Sequence, residues 1–100
     1  MNEVKLSAEA AKRVGIQTAL ITHVAKGETS IPYSAVLYDA DGRTFAYKSL
    51  RPRVYVRSPI TVVDIKGNTA LLSAGPRVGT TIVTVGAPEL YGTEFGVEED

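Results

Sequence analysis

A hydrophobic period of two residues limits what this chain can fold into more than any other feature, and it is plainest between Ile31 and Tyr47. In IPYSAVLYDADGRTFAY, Ile31, Tyr33, Ala35 and Leu37 alternate with Pro32, Ser34, Val36 and Tyr38; further on, Phe45 and Tyr47 alternate with Thr44, Ala46 and Lys48. Such a period fits a pleated strand and not a helix, whose repeat is near 3.6. The intervening Asp39-Ala40-Asp41-Gly42 supplies the residues a tight turn requires, so the stretch reads as a β-hairpin. Pro32 has no N–H to give to a ladder and belongs at the start or edge of its strand.

The same grammar extends along the chain. Val4 to Leu6 suits a short strand. Ser7 is placed to cap a helix from about Ala8 to Val14, with Glu9 in the first turn and Lys12, Arg13 and Gly15 as stop signals. Ile16 to Val24 is β-rich, and Lys26-Gly27-Glu28 reads as a turn. Lys48 to Arg53, with a proline and three bases, suits a loop or edge. Arg53 to Ile65 is the longest strand candidate; Pro59 interrupts it, and the adjacent Val62 and Val63 break its alternation, which predicts a bulge or corner. Lys66-Gly67-Asn68 turns into a strand from Thr69 to Ser73, Gly75 to Gly79 is a loop, and Thr80 to Val85 is the last strand. Pro88 to Tyr91 suits a helical turn, and residues 91–100 read as a mobile acidic tail. The expectation is an all-β single domain over residues 1–100: a small antiparallel β-roll or barrel with one short N-terminal helix.

Composition sets the outer bounds. One hundred residues, 44% hydrophobic and 22% charged, suffice for one core. Cysteine is absent, so disulfide and thiolate chemistry are excluded. No run approaches the ~20 apolar residues of a membrane span. Met1 to Lys5 does not open a secretion signal, so for an exported product the signal or anchor is expected to lie upstream or to have been removed. Net charge is zero, which argues against a dedicated nucleic-acid binder, but the charges are segregated. Arg43, Lys48, Arg51, Arg53 and Arg57 fall in a stretch without acids, whereas only acids follow Arg77: Glu89, Glu94, Glu98, Glu99 and Asp100.

Motifs of chemistry are sparse. Asp39-Ala40-Asp41-Gly42 begins like a calcium loop, yet Leu50 stands where the distal Glu belongs. GPRVGTT, from Gly75 to Thr81, lacks the spacing and the Lys of a phosphate loop and reads as a strand connection. His23 is the only histidine, so neither a transition-metal site nor a histidine triad is expected. The reading is of a non-enzyme without cofactors. Bases interleaved with Tyr47 and Tyr55 suggest an oligonucleotide-binding barrel as one alternative, disfavoured by the zero net charge and the acidic tail. A small-ligand site in the mouth of the roll, lined by Tyr33, Tyr38 and Tyr47, is the other.

Taken together, IPYSAVLYDADGRTFAY, VYVRSPITV and GPRVGTTIVTVGAPELYGTEFGV resemble the membrane-proximal part of the periplasmic adaptor subunits, or membrane-fusion proteins, of resistance-nodulation-division efflux systems. VKLSAEAAKRVGIQTALI resembles the opening segment of the same adaptors. In that family a lipoyl-like domain, a helical hairpin and a barrel intervene between the two segments; here only His23 to Ser30 separates them. The resemblance implies a membrane-proximal domain alone: a non-catalytic, extracytoplasmic module that docks on an inner-membrane transporter and other pump subunits, peripheral to the membrane and not inserted in it, with self-association open. The candidate contact residues are Arg51, Arg53 and Arg57 on the basic stretch, with Tyr91 and Phe95 near the C-terminus.

Overall fold

A computed structural model describes residues 3–25 and 28–94. Among them the chain forms strands β1 (Val4–Lys5), β2 (Gln17–Leu20), β3 (Thr22–Ala25), β4 (Glu28–Pro32), β5 (Leu37–Tyr38), β6 (Thr44–Arg51), β7 (Val54–Pro59), β8 (Thr61–Lys66), β9 (Thr69–Ala74) and β10 (Thr81–Val85). Helices α1 (Ala8–Val14) and α2 (Ala87–Glu94) complete the fold, which is the expected all-β antiparallel roll with a second short helix added.

The strands divide between two antiparallel sheets. One has the order β1-β7-β6-β10-β2, with β5 also paired to β6; the other has the order β3-β4-β9-β8. The chain passes between them at corners, and the corners explain where the alternation falters. The stretch from Ile16 to Val24 is two strands, not one: β2 joins the first sheet and β3 the second. Between them Ile21 is buried and its N–H donates to the Thr80 carbonyl at 2.9 Å. Ile60, also buried and with its N–H donating to the Thr44 carbonyl at 3.2 Å, separates β7 from β8, so the corner expected near Pro59 is present. A bulge follows in β8, where the register against β9 slips between Val62 and Asp64.

The hairpin around Asp39 forms, but its first arm is broken. Pro32 ends β4 instead of opening it, a 3-10 turn occupies Tyr33–Ala35, and only Leu37–Tyr38 pairs with β6. After a proline the ladder has lost a donor, and Ser34 takes a different partner, its hydroxyl donating to the Thr84 carbonyl at 2.6 Å. The turn itself is held by Asp39, whose carboxylate accepts from the N–H groups of Asp41 and Arg43. The stretch from Lys48 to Arg51 is not loop: it continues β6, because Ser49 pairs with Tyr55 and Arg51 with Val54. Of the turn expected at residues 26–28, Glu28 opens β4, and residues 26 and 27 lie outside the described residues.

Two apolar clusters hold the roll together. Ile21, Ile31, Ala46, Ile60, Leu72 and Ile82 fill the junction of the sheets, while Val4, Phe45, Tyr47, Tyr55 and Val83 pack under Ala87 and Leu90 of α2. Consecutive residues of β6 and β10 fall in different clusters, so these central strands are buried on both faces. Helix α1 begins and ends where its caps dictate: the Ala10 N–H donates to the Ser7 hydroxyl, and Gly15 adopts a left-handed φ of 76°. Its end lies on Gly86, where an added Cβ would come within 2.6 Å of Ile16 Cδ1 and 2.9 Å of Val14 Cγ1.

Candidate functional site

The β6–β7 connection carries Arg51 and Arg53 at its tip. The register slips between Ser49 and Arg51, and the Ser49 hydroxyl donates to the Arg51 carbonyl at 3.1 Å. Pro52 and Arg53 then turn the chain. Arg53 has φ 65°, the one positive φ outside glycine among the described residues, at a position where a tight turn after proline ordinarily takes Gly. A left-handed conformation costs a side-chain-bearing residue roughly 1–2 kcal/mol, and here the Leu6 N–H, donating to the Arg53 carbonyl at 2.9 Å, helps to fix it. Arg51 lies 3.5 Å from the Glu3 carboxylate; both side chains are exposed, so the pair adds little to stability.

Arg57 and Tyr91 occupy a different environment. The Arg57 Nε donates to Glu94 Oε2 at 3.1 Å, and its guanidinium lies 5.7 Å from the Phe45 ring centroid. Glu94 Oε1 accepts from the Tyr47 hydroxyl at 2.6 Å, and the Glu94 side chain is only 5% exposed. Phe45 meets Tyr47 edge-on at 5.7 Å and Tyr91 at a tilt at 5.4 Å. These groups form a clasp that fastens α2 to the first sheet. Burial first, and then the hydrogen bond to Glu94, push the Tyr47 phenol far above its ordinary range, so it stays a neutral donor.

The five candidate contact residues therefore separate. Arg51 and Arg53 reach solvent together at one hairpin tip, Arg57 and Tyr91 are half-buried in the clasp, and Phe95 lies outside the described residues. The acidic tail expected from residue 91 begins later, because Tyr91 to Glu94 are helical. Glu94 is the residue sequence reasoning missed, although a signal was there. Ala87, Leu90, Tyr91 and Glu94 recur at i, i+3, i+4 and i+7, the spacing of one helix face. Of the tyrosines considered for a ligand mouth, Tyr47 is closed inside the clasp, while Tyr33 and Tyr38 are exposed.

Open clefts flank these features, among them one of about 560 Å³ beside Leu50, Arg51, Arg53 and Tyr55. A smaller one, of about 180 Å³, is lined by Asp39, Arg43, Thr44, Phe45, Arg57 and Pro59. A larger one, of about 660 Å³, lies between β6–β7 and the β9–β10 loop and includes Lys48, Ser58, Arg77 and Thr80 in its walls. Among the described residues, no helix is long and apolar enough to cross a membrane. No protein-family model and no curated protein matches the chain.

Proposed function

We propose that this chain is a non-catalytic, adaptor-like module that docks on the extracytoplasmic face of a membrane transporter. One observation carries the reading. The opening segment that resembles the adaptors is knitted to the strands that resemble their membrane-proximal part: β2 pairs with β10 through Leu20–Thr81 to Gln17–Val85, and β1 pairs with β7. Two segments that a family member separates by whole domains thus complete one sheet here, and a short connection closes that sheet at little entropic cost.

The docking surface is the β6–β7 tip. Arg51 and Arg53 are its exposed bases, and Arg53 holds a strained backbone conformation of the kind retained where a side chain must be presented in a fixed direction. Arg57 serves the surface indirectly, by anchoring α2, so a test that reverses all three charges would confuse docking with folding. The informative variant is Arg51→Glu/Arg53→Glu. A photo-crosslinking residue placed at Leu50 in the native gene product, followed by membrane fractionation and mass spectrometry, is expected to join the extracytoplasmic loops of a transporter, and the double reversal is expected to abolish the crosslink. Recovery of the protein without any membrane-protein crosslink would overturn the proposal.

A further inference from the structure

The larger cleft has a chemistry that docking through Arg51 and Arg53 does not use. Lys48 enters it from β6, Arg77 from the β9–β10 loop, Ser58 from β7 and Thr80 from the foot of β10. No carboxylate lines it. The ion pairs found among the described residues, Arg51–Glu3 and Arg57–Glu94, engage neither Lys48 nor Arg77, so both cations lack an acidic partner there. Lys48 is half-buried in the wall of the cleft. The loop bearing Arg77 is fixed at both ends of its turn: the Thr80 N–H donates to the Arg77 carbonyl at 3.0 Å, and the Gly79 N–H to the Ile21 carbonyl at 3.0 Å. Two cations and two hydroxyl donors held on an ordered frame suit a phosphate oxyanion.

What surrounds the cleft narrows the source of that phosphate. Leu50, in its wall, is 45% exposed, and Val78, next to Arg77, is 51% exposed. Exposed aliphatic side chains at the end of β6 and on the β9–β10 loop, beside bases, gain nothing from a soluble phosphate but gain burial at the boundary of headgroups and acyl chains. No aromatic ring lines the cleft on which a nucleobase would stack. We propose that this cleft binds the phosphate of an anionic phospholipid, with Leu50 and Val78 entering the bilayer interface, so that the module rests directly on the membrane. The attraction is local, since the chain as a whole has no net charge.

Lipid binding at this cleft needs no transporter and is tested without one. The purified chain is sedimented with vesicles of phosphatidylcholine, with or without phosphatidylglycerol, at low salt, and titrated separately with inorganic phosphate while amide shifts are recorded. Binding to the phosphatidylglycerol vesicles alone is expected. Arg77→Gln, at an exposed position, is expected to weaken it about five-fold and Lys48→Gln/Arg77→Gln about 25-fold, from roughly 1 kcal/mol per base at a membrane surface. Leu50→Ser/Val78→Ser is expected to weaken vesicle binding while leaving the phosphate titration unchanged. Equal sedimentation with both vesicle types, or phosphatidylglycerol binding indifferent to Arg77→Gln, would overturn the proposal. Shifts at Lys48, Arg77 and Thr80 with inorganic phosphate but no vesicle binding would overturn the lipid source and leave a site for soluble phosphoesters. Transporter crosslinks at Leu50 in a protein that ignores vesicles would leave the docking reading standing and remove this one.

Discussion

Glu94→Ala is the perturbation that most directly tests how α2 is held. The substitution removes the acceptor of the Tyr47 hydroxyl, on a side chain with no solvent exposure, and the counter-charge of Arg57, whose side chain is 28% exposed. An orphaned buried hydroxyl costs about 1–3 kcal/mol. Breaking a fully buried ion pair by deleting one partner costs about 3–5 kcal/mol, but Arg57 can regain water, so only a fraction of that applies. Undocking sets a ceiling: once the penalty exceeds what burial of Ala87, Leu90 and Tyr91 provides, roughly 3–4 kcal/mol, the helix releases instead. The expected loss is about 3 kcal/mol by urea denaturation, out of a total of about 5–15 kcal/mol for such a domain. Faster amide exchange confined to α2 would mark the undocking route.

Two control variants separate the contributions. Glu94→Gln keeps an oxygen for Tyr47 but removes the charge facing Arg57, and is expected to cost about half as much as Glu94→Ala. Tyr47→Phe leaves the ion pair intact and is expected to cost about 1 kcal/mol, the worth of one hydrogen bond. Because both act on one carboxylate, the double variant should cost less than the sum of the two. A Glu94→Ala protein within 0.5 kcal/mol of the parent, with α2 protection unchanged, would refute the clasp as the anchor of the helix.

Other consequences follow from single residues. Gly86→Ala is expected to destabilise by about 2–3 kcal/mol in the same assay, since its Cβ meets Ile16 and Val14 and its φ of 90° is left-handed; an unchanged denaturation midpoint would mean that α1 does not rest there. Tyr47 is held neutral in the fold while an unfolded tyrosine ionises near 10.0, so above that pH the unfolded state sheds a proton the folded state keeps, and stability falls as pH rises. Tyr47→Phe should flatten this alkaline decline in a pH series of denaturation midpoints. On the edge strand β8, Asp64 Oδ1 accepts from the Ile65 N–H at 2.8 Å beside the exposed side chains of Val63 and Ile65. Asp64→Val is therefore expected to produce concentration-dependent association by light scattering, and a strictly monomeric variant would show that the edge is protected in another way.

The strands and their turns were legible because period two and Gly, Asp and Pro punctuation act locally. The helix from Ala8 to Val14 was legible to the residue, since Ser7 and Gly15 fix its ends. What local pattern does not encode is which sheet a strand joins. Ile16 to Val24 and Ile31 to Tyr38 each read as one strand, yet the corners at Ile21 and at Tyr33–Ala35 depend on partners far along the chain, Thr80 and Thr84. The same limit applies to charge. Arg51, Arg53 and Arg57 form one basic run in the sequence, but only the tertiary fold brings Glu94 to Arg57 and leaves the other two outside.

That separation changes how the surface is understood. The three bases fall on different parts of one hairpin: Arg57 on β7 faces the acid of α2, while Arg51 at the end of β6 and Arg53 in the turn, beyond the slip at Ser49, reach the tip. The slip matters, because a one-residue shift of register exchanges the two faces of a strand. Without it, Arg51 would share the regular alternation of Tyr47 and Ser49 and point with the residues that pack under α2. The extra residue between Ser49 and Arg51 thus does in the backbone what no side chain there could do: it puts Arg51 opposite Val54, on the other face of the strand from Tyr47 and Ser49.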